Sequence, residues 1–292
     1  MYQTLNKEPD IEKPVSSFLN KTEGELSKRA LYELFLLSAF IFTMSALLIQ
    51  FLMNLQTAIL LRHYSISFTY SLFSVNFTSV SGAKWIPLRI YIVYGIVALE
   101  LFFTGIILLL FKIKNWKVKL VFTWLAFLMI HTLPLGMLAG IYFYDGFGIA
   151  YTWLFQNIIV RVLITLAVLL IAIYFRPYWI FRFLKTANSK EYLNDELSRE
   201  KYIRYCFILP WCLGAGIVSA FALPHLTWVW FVFIFGLGIV VLPIFSKTIP
   251  FHEILIYKSE KKIFAFRYPL LYFIMAAATG VIWLISLIRI FF

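Results

Sequence analysis

The stretch from Leu120 to Phe175 limits what this chain can become more than any other part of it. Two apolar runs are joined there at the turn Tyr142-Phe143-Tyr144-Asp145-Gly146-Phe147-Gly148, and each exceeds the roughly 20 residues that cross a bilayer as a helix. His131 and Arg161 fall near the middles of these runs, and Asp145 lies in the turn. Ionisable groups at such depth are costly in hydrocarbon, which makes them functional candidates by default.

Composition points the same way. The 292 residues are 62% hydrophobic and 20% aromatic, with a mean hydropathy of +0.86, far above the roughly half-apolar average of soluble domains. Only 14% are charged, yet the net charge is +12, so the charges belong in loops unless they are paired. The basic residues form short clusters between apolar runs, a pattern that suits contact with anionic lipid rather than nucleic acid. Cys206 and Cys212 fall six residues apart on one predicted helix, which excludes a disulfide between them and matches no metal spacing. The first 30 residues are polar and of mixed charge, without a cleavable signal, so the first apolar run is expected to direct insertion.

In chain order, residues 1–30 read as a polar cytoplasmic tail and Leu31–Leu61 as the first spanning helix. The second half of that helix carries Gln50, Asn54, Gln56 and Thr57 at helical spacing, a stripe expected to face other helices. From Tyr64 to Gly82 the period changes to two. Ile66, Phe68, Tyr70 and Leu72 alternate with Ser65, Ser67, Thr69 and Ser71, and then the phase flips at Phe73, Val75 and Phe77. Such alternation marks β-strand, with a bulge or tight hairpin at the flip, lying at the interface or against the helices. Further helices are predicted over about Ile90–Phe111, Leu120–Tyr142 and Ile149–Phe175. The first four helices and the β-like segment make one membrane half, 31–175. A cytoplasmic linker, 176–205, separates it from a second half, 206–292, with two or three helices near Cys206–Ala222, Leu226–Phe245 and Leu270–Ile290.

With seven spans and the amino end inside, 21 of the 26 Lys and Arg residues fall in inner segments against three in the outer segment 62–89. Lys112, Lys114, Lys117 and Lys119 alone crowd one inner loop, a strong positive-inside bias. The same topology puts Glu100, His131 and Arg161 about 15 to 18 Å along their helices at 1.5 Å per residue, all near the midplane. They form a candidate intramembrane polar cluster, in which an Arg161–Glu100 pair houses both charges and His131 completes a network or a proton relay. On the outer face, His63, Asp145 and His225 are candidates for a metal- or proton-binding site. The plainer reading of Asp145 is a glycine turn whose carboxylate caps the next helix. His252-Glu253 opens a zinc-protease motif, but Ile256 stands where its second His belongs, so no zinc helix is expected there.

The order of a long helix with a polar second half, an amphipathic β-like segment, a helix near Gly95-Ile96-Val97-Ala98 and a helix ending at Asp145-Gly146 resembles the core of site-2-type intramembrane zinc metalloproteases over about residues 45–150. That family carries His-Glu-x-x-His on its first helix, whereas Met53-Asn54-Leu55-Gln56-Thr57 stands here, and Asp145 is the only ligand carried over. The resemblance therefore implies a scaffold without the metal, retained to bind a membrane partner.

The expected fold is thus an all-α integral membrane bundle of six or seven transmembrane helices, with a small interfacial β element after the first. The inner membrane of a bacterium, with the amino terminus cytoplasmic, is the expected location. No catalytic set, metal site or cofactor motif is assembled from the sequence, and the expected partners are the bilayer and another membrane protein. A transporter using Glu100, His131 and Arg161 is the second functional class, and a membrane-embedded enzyme built on His63, Asp145 and His225 the third.

Overall fold

The computed structural model describes residues 13–70, 75–77, 86–141, 146–189, 192–193, 196–222, 236–239, 241 and 290–291, with side chains for most of these from 29 onward. Helix dominates. α1 runs unbroken over Lys13–His63, α2 over Ile86–Leu110 and α3 over Trp116–Ala139. The short α4 (Phe147–Leu154) precedes α5 (Ile158–Tyr174) and α6 (Arg176–Leu184). α7 (Glu196–Ile203) passes through a π-helical turn at Arg204–Ile208 into α8 (Leu209–Ala222). Five stretches are long and apolar enough to cross a membrane: Arg29–His63, Leu88–Leu110, Trp116–Ala139, Ile158–Leu184 and Glu196–Ala220. The sixth and seventh expected spans lie almost wholly outside the described residues.

Within the period-two segment, residues 68–70 and 75–77 form strand, while the phase flip between Leu72 and Phe73 lies outside the described residues. β1 (Phe68–Tyr70) pairs antiparallel with β2 (Val75–Phe77), in the register Phe68 to Phe77 and Tyr70 to Val75. Ile66, Phe68, Tyr70 and Val75 are buried while Ser65 and Ser67 are exposed, as the alternation requires. A third strand, β3 (Ile290–Phe291), joins the other edge of β1. The hairpin seals the end of α1 and the start of α2 through a cluster that includes Ala58, Leu61, Ile90 and Val93.

Contacts between helices sort the bundle into two ends. At one, Ser38 meets both Trp124 and Cys206, Lys119 meets Lys185, and Arg182 meets Leu109. At the other lie the hairpin, Arg89 on Tyr64, and the contact of Gly140 with Gly148. α1 and α8 run parallel, since Ser38 touches Cys206 while Phe42 and Thr43 touch Gly214 further along both helices. We refer to these as the basic end and the hairpin end.

One sequence expectation is corrected by the structure. The predicted helix Ile149–Phe175 is broken at 155–157. α4 ends at Leu154, and α5 starts afresh with Asn157 as N-cap, its side chain accepting from the Ile159 amide at 2.8 Å. An N-cap satisfies an amide that a new helix would otherwise leave orphaned, which makes a polar Asn inside an apolar run a starting signal. α4 lies antiparallel to α2, with Ala150 against Gly95 and Trp153 stacked on Tyr91. The apolar helical stretch that starts at Ile158 continues through α6 to Leu184. Arg176-Pro177 looks like a stop, but proline is tolerated in a helix's first turn, and Trp179, Ile180, Phe183 and Leu184 are buried in the core.

Candidate functional site

Arg161 now lies three residues into α5, only about 4.5 Å from its start, instead of at mid-depth. Its guanidinium donates to the Gly140 carbonyl at 3.3 Å, at the C-terminus of α3. The same arrangement recurs. Arg89 donates to the Tyr64 carbonyl just past α1, Arg182 to Leu109 in the last turn of α2 (3.1 Å), and Lys119 to Lys185 at the end of α6 (2.8 Å). A helix leaves its last carbonyls unsatisfied and carries partial negative charge there, so a cation from a neighbouring helix serves as both donor and counter-charge. Four cations among the described residues are thus held by carbonyls at or just past helix ends.

His131 is 2% exposed, its ring centroid 4.3 Å from that of Phe127 and 5.6 Å from that of Trp179. Its Nδ1 lies 2.7 Å from the Phe127 carbonyl one turn back. A carbonyl can only accept, so Nδ1 carries the proton. Around it, Trp124, Phe127, Phe183 and Phe207 pack edge to face and in stacks, with Phe183 and Phe207 only 4.2 Å apart. His131 is a packed member of this aromatic core, with contacts to neither Glu100 nor Arg161.

The polar group at the heart of the basic end was missed by sequence reasoning. Pro210 has no N–H, so it cannot bond the Cys206 carbonyl four residues back, and the π-turn at Arg204–Ile208 accommodates its ring. The Ser38 hydroxyl donates to that carbonyl, and Trp124 Nε1 donates to Ser38 Oγ at 2.8 Å. Pro210 inside an apolar run announces an orphaned carbonyl. Nothing local identifies its donor, which stands 168 residues away. Glu33, also unforeseen, is 5% exposed and ion-paired with Arg29 at 3.1 Å. Of the stripe on α1, Gln50, Asn54 and Thr57 are buried and Gln56 is half-buried, with Gln50 donating to Asn54 at 3.2 Å.

Glu100 faces outward. It is exposed on α2, flanked by Leu99 at 45% and Phe103 at 56% exposure, about 21 Å from the start of the helix and about 15 Å from its end. Among the described residues its side chain has no hydrogen-bond or ion-pair partner. The expected cluster is therefore not assembled. Glu100 points away from the bundle, His131 is enclosed in rings, and Arg161 is held at the end of α3. The physical reason is that the C-terminus of α3 offers Arg161 both a free carbonyl and partial negative charge.

Of the outer-face candidates, His63 is exposed in the last turn of α1 with its ring against Tyr64, whereas Asp145 and His225 lie outside the described residues. Met53-Asn54-Leu55-Gln56-Thr57 is uninterrupted helix, with Thr57 bonding back to Met53. Among the described residues no group of three His, Cys, Asp or Glu side chains is placed to hold a metal ion. The chain matches no family model, no curated protein and no solved structure.

Proposed function

We propose that this chain is a membrane protein that acts by contact with another membrane protein, through the face of α2 that carries Glu100. The single observation behind this reading is the position of that carboxylate, midway along an apolar helix and facing outward. A charged side chain at the centre of a spanning helix costs roughly 2.5–3.5 kcal/mol on insertion scales, and such residues ordinarily turn inward or pair. A partner helix presenting a hydrogen-bond donor or a cation at the same depth offsets that cost. In this reading the basic end is cytoplasmic, the membrane is the bacterial inner membrane, and the spans number seven. Support for an odd number comes from β3, which pairs at the hairpin end although α1 begins at the basic end.

The test is a pair of measurements on Glu100→Leu. Melting of the purified variant in detergent should occur at the same or a higher temperature than wild type, because a lone charge has been removed. In cells, a photo-crosslinker at Phe103 should form a discrete protein adduct that disappears in the variant, while one at Leu166 on the exposed face of α5 labels only lipid. Loss of thermal stability on substitution would mean that Glu100 serves the chain's own packing, and lipid adducts alone at Phe103 would remove the partner.

A further inference from the structure

Where α2 ends, α3 begins and α6 ends, three cations meet. Lys119 Nζ is tied to the Lys185 carbonyl, and Arg182 is tied by one nitrogen to the Leu109 carbonyl and by Nε to the Tyr178 hydroxyl at 2.8 Å. The Lys185 ammonium sits over the ring of Phe181, 4.0 Å from its centroid. Among the described residues none of the three has a carboxylate partner. Burial, and then the Arg182 guanidinium beside it, push the Lys185 ammonium below its ordinary value. The cations repel one another yet are held in place by carbonyls and rings.

We propose that this junction binds the phosphate of an anionic phospholipid headgroup. Lys119 spends one of its three N–H donors on Lys185, and Arg182 keeps N–H groups beyond those given to Leu109 and Tyr178. The three Lys185 donors are directed by a ring alone. A phosphate offers several acceptor oxygens and the missing negative charge, and basic pockets between transmembrane helices are suited to such headgroups. Because the side chains are already ordered by their protein contacts, little further entropy is lost on binding. Tyr178 lies against the Arg182 guanidinium at the junction, the kind of amphipathic ring that suits the headgroup region. A diffuse positive surface would instead use the exposed Lys112 and Lys114 equally.

The experiment compares melting temperatures of the purified full chain in detergent with added phosphatidylglycerol, phosphatidylcholine or inorganic phosphate. Phosphatidylglycerol should raise the melting temperature by several degrees and phosphatidylcholine should not. The rise should vanish in Lys185→Gln, whose ammonium caps no helix, and in Arg182→Gln/Lys185→Gln. It should persist in Lys112→Gln/Lys114→Gln, which removes two charges from the exposed loop. An equal loss in the loop variant, or no preference for the anionic lipid, would overturn the site. An equal rise with inorganic phosphate would overturn the assignment to a lipid.

Discussion

Ser38 is a small residue on which much of the basic end depends. Its hydroxyl replaces the amide that Pro210 lacks, and Ser38→Ala leaves the buried Cys206 carbonyl without that donor, at a cost of about 1–3 kcal/mol. Pro210→Ala returns an N–H to the helix, so in that background the cost of Ser38→Ala should shrink. Unfolding of the four proteins in detergent measures the coupling, and an unchanged cost would disprove the exchange of donors. Arg161 supplies the second test at this level. Arg161→Gln should lower stability by up to about 2 kcal/mol through loss of its hold on the end of α3. Combined with Glu100→Gln the effects should add to within about 0.5 kcal/mol, because the two side chains do not meet. A larger interaction energy would restore the ion pair that the sequence suggested.

Close approach between elements depends on glycine at one place and not at another. A Cβ on Gly140 would lie 2.7 Å from the Gly148 backbone, so Gly140→Ala must push α3 and α4 apart, costing about 1–3 kcal/mol. A Cβ on Gly95 would meet the Ala150 Cβ at an ordinary 3.8 Å, so Gly95→Ala should be neutral or stabilise α2 by up to about 1 kcal/mol. Opposite signs in a thermal melt are the expected result, and equal losses would contradict this packing of α4. The break before α5 belongs here too: Asn157→Ala removes the cap and should cost about 1 kcal/mol.

For the molecule as a whole, the two ends should open to opposite compartments. In a Cys212→Ser background, Ser67→Cys beside the hairpin and Lys114→Cys at the basic end should react with an impermeant thiol reagent from opposite sides of sealed vesicles. A tag after Phe292 should share the side of Ser67, because β3 pairs with β1. Labelling of both cysteines from one side would dismantle the arrangement of spans.

Much of this was legible in the residues taken one after another. Run lengths pointed to five helices long and apolar enough to cross a membrane, and the period of two pointed to the paired strands at 68–70 and 75–77, because both are local properties of a chain whose backbone groups must be satisfied along its own length or by a near neighbour. The inward turn of Gln50, Asn54 and Thr57 was readable for the same reason. What the order of residues left open was the partner of each stranded polar group. Arg161 found the end of α3, Ser38 found a carbonyl freed by a distant proline, and Glu100 turned outward. Those outcomes depend on how helices rotate and cross. Packing sets that rotation over the whole bundle at once, and no single helix records it.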